Sequence, residues 1–274
     1  MRWGREETPV NNDNNDNILV AVGDDGVATV TLNRPEVHNA FNDAVIADLT
    51  DILRRLGGDE RVRAVVLRAT DKSFSAGADL GWMQRMAGYG HDENLADAQA
   101  LAELMRTLNF LPKPTVAVVQ GAAFGGGVGL VACCDIAVAA ETASFSLSEV
   151  KLGLIPAVIS PYVVAAIGER ASRRYFLTAE RFDAAEALRL GLVHQVVTAE
   201  RLDAAVAAIL ARLFDGGPAA QRAAKDLIFA VAHRPVDKAV IRDTAVRIAA
   251  IRASDEGREG LAAFLEKRKP AWMR

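Results

Sequence analysis

The sequence predicts an α/β protein with a helical C-terminal extension, and three observations carry that reading. Short β-branched runs at 18–22, 27–32, 62–69, 115–119 and 135–139 alternate with helical patterns through the first part of the chain. The run VRAVVLRA at 62–69 is apolar through its centre instead of alternating, as a strand covered on both faces must be. From Ser160 onward the pattern is almost wholly helical, over 160–168, 171–178, 183–190, 200–214, 217–233, 236–253 and 257–267, interrupted only by a strand at 193–197.

At 274 residues, with 51% hydrophobic and 24% charged residues and a net charge of −3, the chain is long enough for one large domain, and no linker divides it. The slight negative charge and the lack of a Lys/Arg stripe with aromatics argue against a nucleic-acid partner. Charge, Gly or Pro breaks every apolar run before the ~20 residues of a membrane span. Residues 1–17, ending NNDNNDN, read as a disordered tail without the features of a secretory signal. The two cysteines, Cys133 and Cys134, are neighbours on a helix and cannot readily bridge, so packed thiols in a reducing, cytoplasmic setting are expected.

Taken in order, Ile18–Val22 and Val27–Leu32 flank a Gly-Asp-Asp-Gly turn and form a hairpin. An irregular polar loop, 33–42, follows. Asn42 is placed to cap a helix through about Leu56, with Val45, Ile46, Leu49, Ile52 and Leu56 on one face and Gly57-Gly58 at its end. After the strand at 62–69 comes a loop of small residues, Ser73 to Leu80, with Asp79 positioned to cap the next turn. His91–Asp97 reads as a polar, mobile segment, and Leu101–Phe110 as a helix that Pro112 and Pro114 prevent from continuing.

The stretch Thr115–Leu130, TVAVVQGAAFGGGVGL, is a strand running into three glycines and then a buried helix starting near Gly126. The free N–H groups of that helix start suit an anion, either a phosphate or an oxyanion that develops during reaction. A dinucleotide site fits poorly, because Gly125, Gly127 and Gly129 give GxGxG where GxGxxG is needed, and the P-loop Lys-Ser/Thr pair is missing. Glu149, in a largely apolar neighbourhood, reads on its own as a surface carboxylate or helix cap. His38, His91, His194 and His233 lack metal-ligand spacing, so no metal is expected, and GxSxG, HExxH and CxxC are absent.

Four motifs, FSAGADL (74–80), GAAFGGG (121–127), SLSEVKLGLIP (146–156) and AFLEKRKP (263–270), occur here in the order that resembles the crotonase, or enoyl-CoA hydratase, superfamily. The longer runs FSAGADLGWM, CCDIAVAA, FSLSEVKLGLIPAVISP, AIGERASRRY and LTAERF are similar to bacterial methylglutaconyl-CoA hydratases of leucine breakdown. The resemblance implies a crotonase fold: repeated ββα units in a spiral core at 18–200 and a C-terminal helical oligomerisation region at 201–274. It implies an acyl-CoA substrate with coenzyme A as part of it, no separate cofactor, and a homo-oligomer, a trimer or a dimer of trimers. It assigns Ala76 and Gly126 as backbone N–H donors to the thioester oxygen and Glu149 as the acid/base at the α carbon. Substrate or coenzyme A contacts are implied for Val37, Ala76, Gly77, Ala78, Asp79, Leu80, Gly125, Gly126 and Gly129, and for Phe264 and Lys267, which close over the nucleotide end, often from a neighbouring subunit.

One departure stands out. Typical hydratases of that superfamily carry a second glutamate three residues after the oxyanion glycine, where this chain has Gly129. One helical turn from Gly126, that position is expected to face the pocket, leaving either room for a branched, carboxylated acyl group or a plain helix-packing glycine. Hydration of methylglutaconyl-CoA is the expected activity. Double-bond isomerisation, which needs a single acid/base, competes with it, and RNA binding is the non-enzymatic alternative. Lys151, Arg173 and Arg174 are candidates by position for a distal substrate carboxylate.

Overall fold

The computed structural model describes residues 8–9 and 16–273. In chain order the elements are β1 (Thr8–Pro9), β2 (Ile18–Val22), β3 (Val27–Leu32), α1 (Asp43–Gly58), β4 (Ala64–Ala69), β5 (Ser73–Ser75), α2 (Leu80–Met86) and α3 (His91–Asn109). Next come β6 (Thr115–Val119), β7 (Ala122–Phe124), α4 (Gly126–Cys133), β8 (Ile136–Ala140), β9 (Ser144–Ser146) and α5 (Ser160–Thr178). The last are β10 (Phe182–Asp183), α6 (Ala184–Leu190), β11 (Gln195–Val197), α7 (Leu202–Asp215), α8 (Pro218–Val231), α9 (Lys238–Ala253) and α10 (Asp255–Leu265).

Seven strands form one sheet in the order β1-β2-β3-β4-β6-β8-β11, and four form a second, β10-β9-β7-β5. From β4 to α5 the chain gives one strand to each sheet in turn and then adds helix. β4, β6 and β8 pair in parallel in the first sheet, and β5, β7 and β9 in the second. This is the expected spiral of ββα units, with the helical region following it.

The apolar strand centres are explained by burial on both sides. Val65, Leu67, Ala117, Val119, Ala137 and Ala139 belong to the main core, while the alternate residues Ala64, Val66, Val116, Val118, Val138 and Ala140 pack with Leu202, Val206 and Leu210 of α7. Helix α1 buries the face read from its sequence, and Asn42 Oδ1 accepts from the Val45 amide at 3.0 Å. Gly168, at φ 76° and ψ 160°, divides α5 into the two helical segments that the sequence pattern separates.

Two expectations need correction. The segment His91–Asp97 is not a mobile loop but the first two turns of α3. The Glu93 carboxylate accepts from the Gly90 amide at 2.8 Å, and Asp92 and Glu93 complement the positive end of the helix. The 1–17 tail lies mostly outside the described residues, but Thr8–Pro9 pair antiparallel with β2 and so extend the sheet.

Asp135, expected at the start of a strand, instead ties strand ends together. It accepts from the Thr115 amide at 2.8 Å and from Thr115 Oγ1 at 2.9 Å, and it pairs with Lys225 of α8 at 2.7 Å. The Lys225 side chain is largely buried, so this ion pair fastens the helical region to the sheet. Removing one partner of a buried pair leaves a charge uncompensated. Lys225→Met is therefore expected to lower stability by about 3 kcal/mol, measured as a lower urea midpoint at unchanged slope.

Candidate active site

Two turns approach so closely that side chains are excluded from the contact. A Cβ on Gly77, which sits at φ 86°, would lie 2.8 Å from the Phe124 carbonyl oxygen and 3.6 Å from the Gly126 nitrogen. One on Gly127 would lie 2.7 Å from the Ser75 carbonyl oxygen. The loop after β5 and the start of α4 thus meet backbone to backbone. As the first residue of α4, Gly126 has no acceptor for its N–H within the helix.

A third segment determines which N–H of the 75–79 loop is free. The 38–41 strip runs alongside it: the Ala76 amide donates to the His38 carbonyl at 3.0 Å, Phe41 to Gly77 at 2.8 Å and Asp79 to Phe41 at 3.1 Å. Ala76 is therefore not available as the expected oxyanion donor, because its N–H is already used. In the parallel bridge between Phe41 and Ala78, the Ala78 amide is turned away from that strip, and it donates to no acceptor among the described residues. The free donor of this loop is Ala78.

The strip itself is clamped. Asn39, buried at φ 55°, donates to the carbonyls of Thr70 at 2.7 Å and Ser73 at 2.8 Å, and its Oδ1 accepts from the Arg34 amide at 2.8 Å. Arg34 also pairs with Asp79 at 3.0 Å. Asp79 caps α2 by accepting from the Trp82 amide at 3.1 Å. Burial pushes its carboxyl up, but the Trp82 amide and Arg34 outweigh that and hold it below the usual range. Asp79 is thus a structural residue that aligns the loop.

Glu149 opens the short 3₁₀ turn 149–152, with Oε2 buried and without a hydrogen-bond partner. Burial pushes its carboxyl above the usual range, and its own amide acts weakly against that. A Cβ on Gly125, which sits at φ 50°, would come within 3.2 Å of Glu149 Oε1, so the glycine leaves the carboxylate its place.

These groups share a cavity of about 660 Å³. Ala76, Gly77, Ala78, Gly125, Gly126 and Glu149 line it, as the sequence reading requires. Val37, Asp79, Leu80, Gly129, Phe264 and Lys267 do not, and Phe264 is 80% exposed on α10. Lys151, Arg173 and Arg174 are also outside the lining, and Arg174 pairs with Glu180 at 2.7 Å. Leu154 and Ile155 line the cavity but are 53% and 72% exposed, so they desolvate Glu149 less than their apolar character suggests. Among the described residues, no cluster of three or more metal-ligating side chains is present.

Of the two readings of Gly129, the structure agrees with helix packing and not with pocket lining. A Cβ there would run into the Ile159 side chain and lie 3.2 Å from Met105 Cε. The position opens no space for substrate; it is packed, and Ile159, which does line the cavity, fills the place.

Several lining residues escaped the sequence reading, namely Phe41, Trp82 and a stripe of α3: Asn94, Asp97, Ala98 and Leu101. Their 3, 4 and 7 spacing marks one helix face. That signal was present in the sequence, hidden by the polarity of the segment.

The enoyl-CoA hydratase/isomerase family matches residues 23–274. The chain belongs to that family. It is 32% identical over 253 residues to a crotonyl-CoA hydratase of Syntrophomonas wolfei, covering 92% of this chain and 96% of the relative. Among solved structures, an enoyl-CoA hydratase from Shewanella pealeana superposes with a TM-score of 0.91 at 48% identity, over 93% of this chain and 96% of that one. One from Mycobacterium smegmatis gives 0.89 at 32%, over 95% and 100%.

A raised carboxyl pKa has a thermodynamic signature. Because Glu149 binds its proton more tightly in the folded than in the unfolded chain, its ionised form disfavours folding above the folded pKa. Below the unfolded pKa both states are protonated and no penalty remains. Glu149→Gln is expected to raise Tm over wild type at pH 8 and to leave Tm nearly unchanged at pH 4.

Proposed function

We propose that this protein is a hydro-lyase that adds water across the double bond of a 2-enoyl-CoA thioester. One observation carries the reading: two unclaimed backbone N–H groups, of Ala78 and Gly126, border the same cavity as the desolvated carboxyl of Glu149. The thioester oxygen would accept from both amides. As water oxygen bonds the β carbon, the C=C electron pair moves toward that oxygen as an enolate, and each donor lowers the barrier by about 3 kcal/mol. The Glu149 carboxyl then delivers a proton to the α carbon. Backbone donors need no particular side chain, which is why Ala and Gly serve.

Coenzyme A enters as part of the substrate, with no separate cofactor. Its pantetheine arm would run past Gly77 and Ala78. Phe264 and Lys267, exposed and away from the cavity, would reach the nucleotide end of a substrate held by a neighbouring subunit. A homo-oligomer, a trimer or a dimer of trimers, is consistent with the exposed apolar side chains of the last three helices, including Ile228, Ile241, Val246 and Leu261.

The finer reading is methylglutaconyl-CoA, supported by the sequence runs that resemble its hydratases. Its distal carboxylate requires a cation, and among the described residues no Lys or Arg lines the cavity. In this reading the cation comes from a neighbouring subunit. Isomerisation is less favoured, since the crotonyl-CoA relative carries a hydratase name.

The test is hydration of crotonyl-CoA and methylglutaconyl-CoA by wild type and Glu149→Gln. Wild type should turn over at least one, and the variant should lose about 10²–10⁴-fold in kcat. Absence of hydration alongside double-bond migration would make the protein an isomerase. A kcat/KM at least tenfold higher for methylglutaconyl-CoA supports the finer substrate, and a tenfold preference for crotonyl-CoA removes it.

A further inference from the structure

Hydration moves two protons: one leaves the attacking water and one arrives at the α carbon. Glu149 accounts for one of them. Four buried side-chain N or O atoms among the described residues lack a hydrogen-bond partner, and three border this cavity: Glu149 Oε2, Asp97 Oδ2 and Trp82 Nε1. Buried polar atoms are rarely left unpaired, and a group of them in one cavity signals a polar ligand.

Asp97 and Trp82 offer complementary chemistry. Trp82 is 4% exposed, so its indole N–H has no access to bulk water. It lies close enough to Asp97 to act on the carboxyl, without hydrogen-bond geometry between them. An acceptor and a donor side by side, each unsatisfied, suit a water molecule that donates to one and accepts from the other. Helix α3 presents Asp97 on the face that carries Asn94, Ala98 and Leu101 to the cavity, while its later turns are fixed in the core by Leu104, Met105 and Leu108. Asn94 is not a competing donor, because its amide already donates to the carbonyls of Tyr89 and Gly90.

We propose that Asp97 is the second catalytic carboxylate of this site, holding the attacking water with the Trp82 indole N–H and accepting its proton. The inference rests on the hydratase reading above. The cycle starts with Asp97 ionised and Glu149 protonated. Asp97 takes one proton from water as the water oxygen bonds the β carbon; the C=C pair passes into the enolate held by Ala78 and Gly126. Glu149 then gives its proton to the α carbon. Atoms and charge balance, with Asp97 now protonated and Glu149 ionised, and exchange with solvent restores the start. Two charged groups bear on Asp97, Asp43 of α1 and Arg85 of α2, joined at 2.6 Å, and Glu149 lines the same cavity. Burial raises the Asp97 carboxyl above its usual range, with Asp43 acting in the same sense and Trp82 and Arg85 against it.

The test compares wild type, Asp97→Asn and Glu149→Gln in two assays: hydration of the better enoyl-CoA across pH, and α-proton exchange of the corresponding saturated acyl-CoA in D₂O. The exchange needs Glu149 and the two N–H donors but no attacking water. Asp97→Asn should lower hydration kcat at least 100-fold with KM within about threefold, remove the acidic limb of the pH profile, and keep exchange within about threefold. Glu149→Gln should lose both reactions. Wild-type hydration in Asp97→Asn, a rise in KM alone, or parallel loss of hydration and exchange would each overturn the proposal, the last by making Asp97 structural. Wild type that hydrates no enoyl-CoA would remove the hydratase reading itself, a different result from wild type active and Asp97→Asn equally active.

Discussion

The site depends on a contact between two pieces of backbone. Gly77 faces the Phe124 carbonyl and Gly127 faces the Ser75 carbonyl at distances that no Cβ could occupy. Everything chemical follows from that proximity. It brings the amide-rich end of one ββα unit against the start of the helix of the next, so donors separated by almost fifty residues border the same space. The sheets make this geometry rigid: β5 and β7 are paired neighbours, and the two turns leave from the same ends of parallel strands.

Within that frame, hydrogen bonding selects the active atoms by using up the others. The 38–41 strip takes the amides of Ala76 and Asp79, Ser75 Oγ accepts from that of Gly77, and only the Ala78 amide between them is left. The strip keeps its place because Asn39 spans two carbonyls and Arg34 spans the strip and Asp79. An irregular loop thus governs which backbone N–H of the neighbouring turn stays unclaimed at the cavity. Glu149 is handled in the opposite way: its Oε2 has been given no partner, and the resulting desolvation favours its protonated form.

Much of this was legible in the sequence. Strand and helix alternation, the α1 face and the glycine turn follow from periodicity and motif, because local pattern and buried face coincide there. Glu149, by contrast, reads on its own as a surface carboxylate and is singled out only by the resemblance. What failed did so for identifiable reasons. Ala76 and Ala78 are both small residues flanking one glycine, and only the pairing with a loop some forty residues earlier distinguishes their amides. The first turns of α3 are polar on both the solvent side and the cavity side, so no hydrophobic stripe announced a helix, and Asp97 was read only as the end of a polar segment. Gly129 was placed on the correct helix, but the residue that fills its missing volume comes from the start of another element.

That last feature, the fit of Ile159 against Gly129, links the evolutionary fates of two positions thirty residues apart. A side chain cannot be added at 129 while isoleucine occupies the gap, and a smaller residue at 159 alone leaves an empty notch beside Met105. Changes at the two sites are epistatic, and their order matters: 159 must shrink before 129 can grow. A lineage that carries this glycine is therefore held on one side of a two-step path, with the residue at 159 deciding what position 129 can become.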